Sequence, residues 1–422
     1  MYGLIRQGLV GVSQPTVARR WSAWTGVGRT VICLGITSLL TDISSEMVSA
    51  VLPLFLLYQL QVSALQLGII DGLYQGTASL VRIAGGYIAD RWGRYKEVAV
   101  AGYALSTLCK VGVLLAGSVF GMLTSLIVLD RTGKGLRTAP RDTMISLSSP
   151  PEKLSTAFGV HRALDTAGAM FGPLVAFGLL ALAPGAFDAI FVVSFCVALI
   201  GLGVLTLFVE NQPPDEPAVP APAVSLGEVT RLLQLAPFRT LILIGTALSL
   251  ATISDGFLYL SMQRRMSFSV GLFPLLYVMT ALIFMVLAIP AGRLADRVGR
   301  GQVFIGGYGL LLFVYTLLLL PSAGWLDVCL TLPLLGAYYA ATDGVLMAQA
   351  SAILPAWLRG SGLALLSTAT GLARLFASIL FGLLWTWAGV NVAIVIFMIA
   401  LAPVMVLALV ALRRTDENAD AG

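Results

Sequence analysis

Among the ionisable side chains inside the long apolar stretches of this chain are ten from which any chemistry it performs has to start. Asp42 and Glu46 stand four apart in Thr41-Asp-Ile-Ser-Ser-Glu-Met47, so a helix carries both carboxyls on one face. Asp71 and Arg82 share the next stretch, Lys110 falls in the third, and Arg131 with Lys134 close the fourth. Further on, Asp255 follows Ser254, Asp343 follows Tyr338-Tyr339-Ala-Ala-Thr, and Arg374 stands alone in its stretch. A charge in hydrocarbon is costly, so each group must meet an opposite charge, a proton, a solute or enclosed water. Counting about 1.5 Å per helical residue sets Asp42, Arg82 and Lys110 at similar depth, a mixed-sign cluster able to hold itself together. Glu46 has fewer basic neighbours at its own level. It is the first candidate to bind and release a proton, with Asp255 second. Asp42, for which Arg82 or Lys110 would serve as a structural partner, comes third. Asp71, Arg82, Lys110, Arg131, Lys134, Asp343 and Arg374 are the candidates to line a solute cavity.

Other chemistries find little to use. His161 is the one histidine, and Cys33, Cys109, Cys196 and Cys329 occupy four different apolar stretches without a Cys-x-x-Cys. Neither a metal centre nor a disulfide is expected from them. His161 stands four residues before Asp165, a spacing that suits a hydrogen bond near a helix end. No nucleophile is placed with a base and an orienting acid, so neither an enzyme nor a cofactor is expected. Gly133-Lys134-Gly135 lacks the spacing and the preceding strand of a phosphate loop.

The elements that must hold these residues are membrane helices. Charged residues make up 11 % of the chain and hydrophobic ones 58 %, with a mean hydropathy of +0.91. A soluble domain carries about 25 % charged residues. Twelve apolar stretches can be drawn, at 30–58, 67–89, 97–117, 119–137, 156–180, 189–209, 239–262, 273–292, 302–320, 328–350, 361–386 and 389–412. Each has the roughly 20 residues that span a bilayer as a helix, and none has the alternation of a barrel strand. The net charge of +5 is no nucleic-acid footprint, because the basic residues follow membrane topology. Arg6, Arg19, Arg20 and Arg29 precede the first stretch, and later clusters recur after every even-numbered one, up to Arg413 and Arg414. The opposite loops hold only Arg264 and Arg265. Both termini are therefore expected on the cytoplasmic side. Arg19-Arg20 acts as a topology anchor, since the following stretch is too long for a signal peptide and lacks a cleavage site.

Gly86-Tyr-Ile-Ala-Asp90-Arg91-Trp-Gly93-Arg94 returns 206 residues later as Gly292-Arg-Leu-Ala-Asp296-Arg297-Val-Gly299-Arg300. A repeat at half the chain length divides the molecule into two halves. The Pro-rich stretch from Asn211 to Ala223 excludes helix between them. The expected units are an N-terminal half at 1–209 with a basic lead-in, a linker at 210–236, a C-terminal half at 237–412 and a tail at 413–422 that is short, polar and without structure. Gly-x-x-Ala-Asp-Arg-x-Gly-Arg resembles the cytoplasmic loop signature of major facilitator superfamily transporters. Arg131-x-x-Lys134-Gly135 resembles that family's fourth-helix signature, with Lys134 where the family has glutamine. Gly168-x-x-x-Gly172-Pro173 resembles the fifth-helix signature found mainly in its exporters, without the glycine pair that follows there. Small residues four apart also allow a close helix contact, and the proline bends the helix.

The resemblance implies twelve helices in two pseudo-symmetric halves that rock about a midplane site, powered by an ion gradient. It implies proton-coupled export of a small molecule by a monomer in a bacterial inner membrane. The alternative is proton-coupled uptake of an anionic solute such as a metal chelate or siderophore, with Arg82, Lys110, Arg131 and Lys134 as countercharge. A non-transporting scaffold has no use for so many deep charges. In the loop signature, Asp90 is expected near the start of the eleventh helix, around Gly360–Gly362. Arg94 would pair with Asp130 or Asp142. Asp296 is expected at the matching end of the eighth helix, facing Ser155–Phe158.

Overall fold

A backbone in hydrocarbon has to satisfy its own hydrogen bonds, and apolar runs of this length do so as helices. The computed structural model describes residues 27–116, 119–149, 154–210, 232–266, 268–321, 324–354 and 359–420. Among them, twelve helical spans follow one another. The first half holds α1 (Arg29–Leu54, prolonged by a π turn, Phe55–Gln59), α2 (Ala64–Trp92), α3 (Tyr95–Ala116), α4 (Phe120–Leu147), α5 (Leu154–Leu182) and α6 (Phe187–Phe208). The second holds α7a (Ala236–Leu250) with α7b (Asp255–Met266), α8 (Phe273–Val298), α9 (Arg300–Leu319), α10 (Trp325–Ile353), α11 (Arg359–Ala388) and α12 (Val390–Asp420). Ten of the twelve are apolar enough to cross a membrane by composition. The two that are not are α2, with Asp71 and Arg82, and α4, with Asp130, Arg131, Lys134 and Arg137, and each packs between two other helices.

Three details depart from the apolar pattern. α4 runs on to Leu147, ten residues past the expected end. α12 stays helical to Asp420, so the expected unstructured tail is a continuation of the last helix. The seventh span breaks between Leu250 and Asp255. Its opened backbone is served from α9: Ile253 N–H donates to the Tyr315 hydroxyl at 2.8 Å, and that hydroxyl donates to Ala251 O at 3.4 Å. Residues 1–26 of the basic lead-in and 211–231 of the expected linker lie outside the described residues.

Packing repeats from half to half. α1 packs on α5 and α6, α2 on α4, and α3 on α4 and α6. Six helices on, α7a packs on α11 and α12, α8 on α10, and α9 on α10 and α12. Between the halves, α2 lies along α11 and α5 meets α8. The α2–α11 seam is made of small residues: Gly68 abuts Ser378 and Gly382, Gly72 abuts Leu375, and Gly382 abuts Ala64. A Cβ on Gly72 would stand 2.6 Å from Leu375 O, so the backbones meet directly.

The face with the Gly93 and Gly299 connections is termed the basic face. Hydrogen bonds across the halves gather towards the opposite face. Tyr58 donates to Gln263 at 2.6 Å, Leu65 N–H donates to Thr386 Oγ1 at 2.9 Å, and Ser378 donates to Asp71. The two arginines out of place in the charge pattern are both occupied there. Arg265 binds the carbonyls ending α9 and stands 3.7 Å from Asp327, while the Arg264 guanidinium lies 5.1 Å from the Trp385 ring centre.

Candidate functional site

The i, i+4 acids of α1 are seated by glycines of α5. A Cβ on Gly168 would stand 2.5 Å from Leu39 O and 3.1 Å from Asp42 Cβ. One on Gly172 would stand 2.7 Å from Ile43 O and 2.8 Å from Glu46 Cβ. The Gly-x-x-x-Gly spacing thus lets α1 lie against α5 with one glycine behind each acid, and Pro173 follows inside the same helix.

The two acids have different surroundings. Glu46 lines a cavity of about 360 Å³ between the halves, together with Asp71, Tyr74, Gln75, Arg131, Lys134, Asp255 and Tyr277. Asp42 sits against α5, hydrogen-bonded to the carboxyl of Asp165, with Lys134 and Arg137 as its nearest cations. Asp165 also accepts from Ser38 at 2.7 Å and has the Arg141 guanidinium at 3.7 Å. Four residues before Asp165, His161 buries its Nε2 without a partner among the described residues.

The mixed cluster expected from Asp42, Arg82 and Lys110 is separated by helix rotation. Lys110 turns to Asp130, 3.6 Å away, across the α3–α4 contact, and lines a cleft of only about 30 Å³. Arg131 bonds the same carboxylate at 2.6 and 2.9 Å and covers the Tyr74 ring at 3.8 Å. Arg82 is exposed, with Asp142, Arg141 and Arg162 as its charged neighbours. Asp130 was not among the expected site residues, though its place beside Arg131 was visible. Of the expected cavity cations, Lys134 faces the central cavity without a salt bridge among the described residues.

The second half supplies the facing wall. The break in the seventh span puts Asp255 in the first turn of α7b, towards the positive end of its dipole. Asp255 accepts a hydrogen bond from Tyr339. Glu46, Asp255 and Tyr277 also line an adjoining cavity of about 250 Å³ with Tyr259, Tyr339 and Asp343. Asp343 and Arg374, 3.7 Å apart, line a third cavity of about 280 Å³ that reaches Met347 and Ser367 on the basic side. Asp71 belongs both to the central cavity and, through Ser378, to the α2–α11 seam.

The family model of the Major Facilitator Superfamily matches residues 34–340 and 240–421. The chain belongs to the major facilitator superfamily. It is 30 % identical, over 85 % of its length, to an uncharacterised MFS-type transporter of Methanocaldococcus jannaschii, covering 89 % of that protein. An uncharacterised Mycobacterium tuberculosis protein is 31 % identical over 47 % of this chain and 43 % of its own. Among solved structures, the nucleoside transporter NupG superposes with a TM-score of 0.75 at 14 % identity, over 90 % of this chain and 99 % of that one. A D-xylose–proton symporter gives 0.71 at 16 %, over 90 % and 96 %. At these identities the structures show the fold alone. The chain is a multi-pass membrane transporter of the facilitator fold, not an enzyme.

The superfamily's loop signature can now be placed. Both copies end a helix at a glycine with positive φ, a conformation that favours glycine: Gly93 at φ 61°, ψ 22°, and Gly299 at φ 116°, ψ 131°. Asp90 and Arg91 lie in the last turn of α2 and Gly86 just before it, but their side chains are outside the described residues. Arg94 is exposed, and both expected partners are committed elsewhere: Asp130 to Arg131 and Lys110, Asp142 to Arg141. Asp296 ends α8 as the repeat requires. Arg300 binds it at 3.2 Å and also donates to Ala348 O of α10 at 3.3 Å, while Gly292 and Arg297 lie in the same final turns. The side chain of Ser155, in the region Asp296 was expected to face, is outside the described residues.

Proposed function

We propose that this transporter exports a small molecule in exchange for protons, as a monomer in a bacterial inner membrane with its basic face to the cytoplasm. One observation carries the coupling. Glu46 and Asp255, one from each half, line the same midplane cavity, and neither is in a salt bridge among the described residues. Deep carboxylates without a countercharge are the usual proton sites of carriers. The cavities reach the basic side at Met347 and Ser367, while the hydrogen bonds between halves gather at the other end. These features support a state open to the cytoplasm, from which an exporter loads its solute. The basic loops supply the sidedness.

Uptake of an anionic solute fits less well. Lys110 and Arg131 are bound to Asp130, which leaves Lys134 as the one free countercharge in the central cavity among the described residues. A scaffold gains nothing from unpaired acids at this depth.

Glu46→Gln in reconstituted vesicles is the test. Transport driven by a pH gradient is lost in this variant, whereas exchange of solute for solute, which needs no net proton movement, continues. Uphill transport at the wild-type rate would transfer the coupling role to Asp255 or to the Asp42–Asp165 pair.

A further inference from the structure

Hydrogen-bond accounting at the cavity wall narrows the solute class. Two cavity hydroxyls donate to the protein, Tyr339 to Asp255 and Tyr259 to Thr280 Oγ1 at 2.8 Å, Ser378 of the α2–α11 seam donates to Asp71, and the Tyr74 hydroxyl is left without a partner among the described residues. Three carboxylates, those of Glu46, Asp71 and Asp255, face the central cavity. Among the described residues one cavity cation without a salt bridge, Lys134, stands against these, because the Arg131 guanidinium is held by Asp130 and laid over Tyr74. Asp343 joins the same wall, partly offset by Arg374 at 3.7 Å.

The rest of the wall is aromatic. Tyr259 and Tyr277 meet edge to face with centres 4.6 Å apart, and Phe284 lines the same space. Aromatic faces attract organic cations as well as apolar groups. Among the described residues no three acids, cysteines or histidines converge closely enough to hold a metal ion. Carboxylates set apart from each other around rings suit a charged group carried on an apolar body.

We infer that the wall shared by the central and adjoining cavities binds an organic ammonium ion, its N–H groups donating to Glu46 and Asp255 and its apolar body resting on Tyr259 and Tyr277. The inference rests on the export reading above and names its solute class. Excess carboxylate in a cavity of low dielectric selects for positive charge, and carboxylate oxygens accept from N–H.

Four probes of one shape test it on the purified full-length chain in lipid nanodiscs: benzylamine, benzyltrimethylammonium, benzyl alcohol and benzoate. Titration calorimetry should find benzylamine binding at least tenfold tighter than benzyl alcohol. Benzyltrimethylammonium, which cannot donate, should fall between them, and benzoate should give no signal. Glu46→Gln and Asp255→Asn should each weaken benzylamine about tenfold, whereas Lys134→Gln should tighten it severalfold by removing the competing cation. Glu46→Asp keeps the charge and should stay within a few fold of wild type, which separates a lost carboxylate from a lost fold. Benzoate binding tightest, four probes binding alike, or benzylamine indifferent to both acid variants would each overturn the amine site. Benzylamine that binds but is not moved by a pH gradient in vesicles would leave the amine site standing and overturn export. Gradient-driven export of a neutral solute that does not compete with benzylamine would do the reverse.

Discussion

Asp130 holds two cations at once and so decides which charges reach the cavity. Its Oδ2 takes Arg131 at 2.6 Å, and Lys110 stands 3.6 Å from its Oδ1, with both cations almost fully buried. Removing the shared acid would strand both. Breaking a buried pair by deleting one partner costs about 3–5 kcal/mol, more than an isosteric apolar replacement of the pair. Asp130→Asn is therefore expected to lower the thermal midpoint of the purified protein strongly, read by tryptophan fluorescence. Adding Lys110→Met should recover part of the loss, since one of the two stranded cations is then gone. A single variant that melts like wild type would show that the network contributes nothing to α3–α4 packing.

At the scale of elements, the α1–α5 contact aims the coupling acids. Gly172 leaves no room for a methyl group, because backbone atoms of Ile43 and Met47 would lie 2.7 and 2.9 Å from it. Gly178, on the same helix, has nothing within 4 Å. Gly178→Ala should be neutral or stabilising by up to about 1 kcal/mol, since glycine is a poor helix former. Gly172→Ala must push α1 away, at about 1–3 kcal/mol for overpacking, and displaces Glu46 with it. Melting curves compare the two stabilities, and pH-gradient-driven uptake compares their coupling. Equal behaviour of the two variants would remove the glycine face from the mechanism. The break in the seventh span is its counterpart, presenting Asp255 from the other half at the cost of a backbone that Tyr315 has to satisfy.

For the whole molecule, rocking of the halves requires the α2–α11 seam to open. Leu65 and Thr386 already touch across it. With the native cysteines replaced, oxidising Leu65→Cys/Thr386→Cys should stop transport and reduction should restore it; transport that survives the cross-link would exclude opening at this seam. The basic face carries the matching control. Asp90 and Asp296 are repeat partners, yet Asp296 is exposed and bound within its own connection by Arg300. If Asp90 instead reaches the positive start of α11, Asp90→Asn should slow transport about tenfold or more while Asp296→Asn has a mild effect. Rates in vesicles, normalised to the amount of inserted protein, decide it, and equal rates would dismiss the asymmetry.

Twelve helices, two halves and the family were legible because each depends on properties that survive without neighbours. Bilayer thickness sets a run length, backbone hydrogen bonding forbids other elements, and the repeated Gly93 and Gly299 mark positions where the chain needs positive φ. The depth of each ionisable residue also followed from counting along a helix. Depth does not say which way a side chain points. Lys110 was matched by depth to Asp42, but the rotation of α3 turns it to Asp130, and Asp42 finds Asp165 on α5 instead. The glycines of α5 were readable as a close-contact face, though their partner was not, and those of α2 emerge only from its packing on α11. The seventh span reads as one continuous apolar run, and only Tyr315, 62 residues beyond Ile253, lets it break and bring Asp255 opposite Glu46. Helix existence is settled by local composition and solvent. Pairing between helices is settled by their rotation and register, and those arise only when all twelve pack together.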